Sequence, residues 1–120
     1  MYQHVNHATM VTVLEEARIP FLRDAFGADI TSTGLLIAEV RIGYKDQLRL
    51  ADSPLQVTIW VNRLRAVDFT LGYEVRSVNA DPESKPAVVA ETQLATFHID
   101  EQRLVRLSPH HREYLQRWLR

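Results

Sequence analysis

The 120-residue sequence predicts a single α+β domain, residues 1–120, in which an antiparallel sheet wraps a long central helix and a short helix closes the chain. Three observations carry that expectation: an opening run whose apolar residues recur at helical spacing, four later runs with strand character, and a tail that begins with a helix-capping signal. The length suits one core and is too short for two.

The first element is expected from His7 to Phe26. Met10, Val13, Leu14, Ala17, Phe21, Leu22 and Ala25 fall three and four apart, which puts them on one helical face. Asn6 is placed to cap the helix, its side-chain oxygen taking a free N–H of the first turn. Pro20 removes a backbone donor and clashes with the preceding turn at about 3 kcal/mol, so a kink or break is expected near Arg18 and Ile19. Gly27 suits a helix stop.

Four strands follow. Leu35 to Tyr44 is rich in β-branched residues. Leu55 to Asn62 alternates, with Leu55, Val57, Ile59 and Val61 on one side and Gln56, Thr58, Trp60 and Asn62 on the other. Phe69, Leu71, Tyr73 and Val75 repeat the pattern. Ala87 to Ile99 is apolar on both faces, as in a strand covered on both sides. The short link from Arg63 to Asp68 predicts an antiparallel hairpin, and the polar stretch Asn79 to Pro86 a loop. Pairing in chain order would make the four a meander. The tail reads as a helix capped by Ser108, with Pro109 in its first turn and Tyr114, Leu115, Trp118 and Leu119 as its apolar stripe.

Composition narrows the function. A net charge of −1 offers no electrostatic reason to expect nucleic acid or an anionic membrane. No apolar run approaches the roughly 20 residues of a spanning helix, and residues 1–18 lack the basic-then-apolar order of a signal peptide, so a cytoplasmic protein is expected. With no cysteine there is no disulfide, thiolate nucleophile or zinc-thiolate site. A G-x-S-x-G elbow and a phosphate-binding glycine loop are also missing.

The chemistry-bearing residues cluster at the start. His4, Asn6 and His7 open directly into the helix that carries Glu15 and Glu16. His4 is a proton-transfer candidate, since imidazoles titrate around neutrality, or a loop histidine satisfied by backbone. Asn6 is a ligand for substrate or simply a cap. Helical periodicity separates the two glutamates by about 100°, so at most one faces a pocket. Glu16 serves catalysis or pairs with Arg18 or a strand, and Glu15 is solvated. His4 and His7 could chelate a metal, but no carboxylate or thiolate sits at ligand spacing, so no metal is expected. His110 and His111 are expected at the surface. Trp60 is either a subunit contact or a surface aromatic.

The run HVNHATMVTVLEEAR resembles the signature of hot-dog fold acyl-CoA thioesterases of the 4-hydroxybenzoyl-CoA thioesterase-like superfamily. There a sequence like D-x-x-G-H-V-N-N-x-x-Y opens the central helix and E-x-A-R follows. His4, Val5, Asn6, Glu16, Ala17 and Arg18 match; Gln3 replaces the glycine and Met10 the aromatic. The resemblance implies hydrolysis of an acyl-CoA thioester to free acid and CoA, with no cofactor beyond the CoA of the substrate. It also implies a dimer or tetramer with the active site between subunits. The backbone amide of His7 would polarise the thioester carbonyl. The family's acidic residue would fall immediately before Met1, on a first strand expected to be missing. The alternatives are that His4 or Glu16 does that work, or that the chain is a silent acyl-thioester-binding or structural protein. A hot-dog hydratase or dehydratase is disfavoured by E-x-A-R. If coenzyme A binds, Arg63, Arg65 and Lys85 are the candidates to hold its phosphates.

Overall fold

A computed structural model describes residues 6–27, 33–48 and 54–120. Helix α1 (His7–Phe26) is followed by β1 (Thr33–Tyr44), β2 (Leu55–Leu64), β3 (Asp68–Ser77), β4 (Val88–His98), a two-residue β5 (Arg103–Leu104) and α2 (Pro109–Arg117). The helix bounds match the apolar periodicity. Asn6 caps the start, and at the stop Gly27 takes φ 54°, with its N–H donating to Arg23 O. The helix runs unbroken through Pro20, contrary to a break there. The core-facing stripe of Met10, Leu14, Leu22, Ala25 and Phe26 continues on both sides of the proline, and its burial holds the helix together across the lost hydrogen bond.

All pairings are antiparallel, but the order is β1-β4-β3-β2, with β5 on β4. β2, β3 and β4 form the expected meander; β1 does not join β2 and lies instead on the far side of β4, from Tyr44↔Val88 to Thr33↔His98. The long connection between Tyr44 and Leu55 allows that crossing. β4 is thereby an interior strand, and its side chains alternate between buried residues facing α1 and half-buried ones on the outer face. α1 packs against this sheet, as the hot-dog expectation has it. Phe69, Leu71, Tyr73 and Val75 are 0% exposed and join Met10, Leu14, Leu22 and Phe26 in one core. Phe26 stacks on Phe69 with ring centroids 5.9 Å apart.

Helix α2 is capped as expected, Ser108 accepting from His111 N. Here a surface expectation fails. His110 is exposed, but His111 is buried, its ring 4.5 Å from that of Phe26. The two histidines sit about 100° apart on the helix, and the inner one fills the gap at the C-terminal end of α1. Beyond α2 the tail lies along the edge of β2: Val61 N donates to Trp118 O, and Arg120 N to Val61 O.

On the outer face Trp60 lies across Gly72, its cross-strand partner, and beneath the guanidinium of Arg120, 4.4 Å from the ring centroid. Its indole N–H donates to Asn62, whose amide donates to Glu91.

Candidate active site

Three elements meet at the N-terminus of α1. Asn6, in extended conformation (φ −82°, ψ 170°), accepts from Thr9 N at 2.8 Å through Oδ1, and its carbonyl takes Met10 N at 2.9 Å. The N–H groups of His7 and Ala8 have no acceptor among the described residues, as expected of a first turn. No acidic residue stands in that turn to offset the positive end of the helix. Among the described residues, two donors therefore remain available to an electron-rich oxygen.

The second element is the end of β1. The Tyr44 hydroxyl lies 2.6 Å from His7 Nδ1, and the two rings meet edge to face, 5.8 Å between centroids and 66° between planes. Burial pushes the phenol pKa of Tyr44 up, because the phenolate would lose hydration. The turn after β1 is held to β4, with Lys45 N and Asp46 N both donating to Ala87 O, at 2.8 and 3.1 Å. This fixes Asp46, Gln47 and Leu48 beside Val88. Together His7, Met10, Tyr44, Asp46, Gln47, Leu48 and Val88 enclose a cavity of about 330 Å³, apolar at Met10, Leu48 and Val88 and polar on the rim. Such a site can take an apolar group and hold the oxygen at its head.

The sequence-expected residues divide. His7 lines this cavity, and Asn6 precedes it as the helix cap. His4 lies outside the described residues. Glu16 is exposed on α1, while Arg18 is buried on the core stripe, so the expected Glu16–Arg18 pair does not form; residues two apart on a helix face different ways. Arg63 and Arg65 are not at the His7 cavity. They line a separate polar cavity of about 390 Å³ on the outer face of the sheet, with Glu39, Arg41, Asn62, Thr70, Glu91 and Gln93. The bulge between Val61 and Arg63 helps set their direction. Lys85 is exposed in the β3–β4 connection, which leads into Val88. Tyr44 and Asp46 went unnoticed in the sequence because Tyr44 is 37 residues from His7 and only the β1–β4 pairing brings them near. The available signal was an aromatic followed by Lys45 and Asp46 at a strand end.

Among the described residues no three His, Asp or Glu side chains come together as metal ligands, and no described helix is long and apolar enough to cross a membrane.

Residues 1–119 match the sequence profile of the thioesterase-like superfamily. A search of curated protein sequences finds no significant match. Among solved structures, this chain is similar to a predicted thioesterase from Bacillus stearothermophilus, with TM-score 0.81, 15% identity, and coverage of 98% of this chain and 85% of that one. It is similar to the YbaW probable thioesterase from Escherichia coli, with TM-score 0.77, 22% identity, and coverage of 100% and 90%. It is also similar to the hypothetical protein SAV2348 from Staphylococcus aureus, whose structure is a complex with CoA, with TM-score 0.80, 11% identity, and coverage of 98% and 74%. At these identities the likeness establishes the hot-dog fold.

Proposed function

We propose that this chain, which belongs to the thioesterase-like superfamily, hydrolyses an acyl-CoA thioester to a free acid and coenzyme A. The observation that carries the reading is the start of α1, where the amides of His7 and Ala8 have no acceptor among the described residues and His7 lines the apolar cavity. The CoA complex of the Staphylococcus aureus protein of the same fold supports the choice of thiol.

The acyl group enters among Met10, Leu48 and Val88, and the carbonyl oxygen meets the His7 amide at the positive end of α1. Donors fixed in advance around a developing oxyanion lower the barrier most where water is excluded. Water adds to the carbonyl carbon, the oxygen becomes anionic, and its return expels the thiolate, which leaves with the proton given up by the water. Asn6 holds the amides in place through Thr9 N. His4, by its position in the motif, is assigned the handling of that proton. For the phosphates of coenzyme A, Lys85 is favoured over Arg63 and Arg65, because its loop leads into the cavity wall and they face the other side of the sheet.

The active unit is assigned to two copies of the chain. β1 pairs along one edge with β4, and its other edge meets no strand among the described residues. Leu36, Ile37, Val40 and Tyr44 are 45–51% exposed along it. A long apolar edge of this kind is covered in soluble proteins, and a second β1 is a self-complementary cover.

The reading is tested by thiol release from acyl-CoAs of short, medium, long and aromatic acyl groups. Release from at least one class above the uncatalysed rate is expected; none from any class overturns the proposal.

A further inference from the structure

The His7–Tyr44 contact joins a helix start to a strand end. It lies at the rim of the cavity, and the helix cap does not need it. Resting on the acyl-CoA reading above, we propose that His7 meets the thioester carbonyl with its side-chain Nε2–H as well as its backbone amide, and that Tyr44 is the positioning residue that keeps the ring in the tautomer this requires.

The geometry selects that tautomer. His7 Nδ1 and the Tyr44 hydroxyl are 2.6 Å apart, so one donates and the other accepts. A neutral imidazole carries one proton and one bare nitrogen. Phenol is the better donor and bare imidazole nitrogen the better acceptor, so Tyr44 O–H donates to Nδ1 and the ring proton sits on Nε2. A phenol keeps its proton through the neutral range, and the partial burial of Tyr44 shifts its pKa further up. The edge-to-face ring contact adds a second interaction between the same two side chains. Nε2 has no partner among the described residues, and the ring it belongs to forms part of the cavity wall. Asp46 lines the same cavity, but it makes no hydrogen bond or ion pair with His7; its Oδ1 accepts from Gln47 N at 2.8 Å. Among the described residues Nε2–H is left without an acceptor, and a substrate carbonyl in the cavity is a fitting one. The ring then contributes a hydrogen bond that strengthens as the carbonyl oxygen becomes anionic, without itself losing or gaining a proton.

This role differs from that of a general base, which would need a bare Nε2, and glutamine separates the two. The amide nitrogen of Gln reaches the Nε2 position as a donor and cannot act as a base. His7→Ala is expected to lower kcat by about a hundredfold, the scale of a lost oxyanion donor, with KM changed much less. His7→Gln is expected to regain at least tenfold of that loss, and Tyr44→Phe to lose about tenfold in kcat. Equal activity of the Gln and Ala variants would overturn the donor role. The second measurement is long-range ¹⁵N NMR of the histidine rings above neutral pH, with the His7 signals assigned through His7→Gln. The wild-type protein is expected to hold the Nε2–H form and Tyr44→Phe a mixture. A wild-type Nδ1–H form, or no change on removing the hydroxyl, would overturn the positioning role of Tyr44. If the wild-type protein releases no thiol, the thioesterase reading fails and the donor role with it; the NMR result then decides the His7–Tyr44 arrangement alone.

Discussion

Asn6 holds the start of α1 through one short hydrogen bond, to Thr9 N at 2.8 Å, and a substitution that spares the cap isolates whatever else it does. Asn6→Ala is expected to destabilise the protein by about 1 kcal/mol in urea denaturation, while Asn6→Ser should recover both stability and thiol release to within a few-fold. A serine variant that is stable yet slow would give the amide a direct place at the substrate. This cap was readable because everything it needs lies within four residues. Gly72 is the opposite case. A β-carbon there would stand 2.6 Å from Trp60 Cε2, so Gly72→Ala forces the indole out from under Arg120 and off its bond to Asn62. A loss of about 1–3 kcal/mol is expected from such overpacking, read as a lower urea midpoint. Nothing near Gly72 in sequence announces this, since its constraint comes from the register Trp60↔Gly72 on another strand.

The secondary-structure elements divide along the same line. The three-and-four spacing of α1, the alternation of β2 and β3, and the Ser108–Pro109 start of α2 are local patterns, and each became the element it suggested. The partner of β1 could not be read that way, because its apolar faces fit β2 and β4 equally well. β5 is two residues long and too short for any pattern. Pro20 does not break the helix for a different reason: its cost is local, while the burial of Leu14 on one side and Leu22 on the other outweighs it. Since Pro20 itself is exposed, Pro20→Ala should restore a backbone donor without disturbing the core. It is expected to stabilise the protein by up to about 3 kcal/mol. Urea denaturation followed by far-UV circular dichroism checks this, and a fall in stability would mean the proline shapes α1 in a way the core depends on.

At the scale of the molecule, the chain alone is more extended than a self-sufficient domain. Its Cα radius of gyration is 15.5 Å, against about 13.6 Å expected for a compact domain of this length. β1 carries large apolar side chains, Leu36, Ile37 and Val40, that are exposed. Ile37→Lys with Val40→Lys, both at exposed positions on β1, is expected to convert a dimer or larger assembly into a monomer in sedimentation velocity, and to reduce thiol release with it. An unchanged sedimentation coefficient would place any association elsewhere. Association was expected from the resemblance. The strand proposed for it was not, because which edge stays open depends on the sheet order.

The few residues after α2 bear on how such association ends. By hydrogen-bonding both backbone groups of Val61, they occupy part of the opposite margin of the sheet and leave β1 as the more open side. Two identical chains that meet through the same margin use it up in a single encounter. On the proposed β1 pairing, growth would then halt at a closed pair, with the tail acting as a terminator against open-ended fibres.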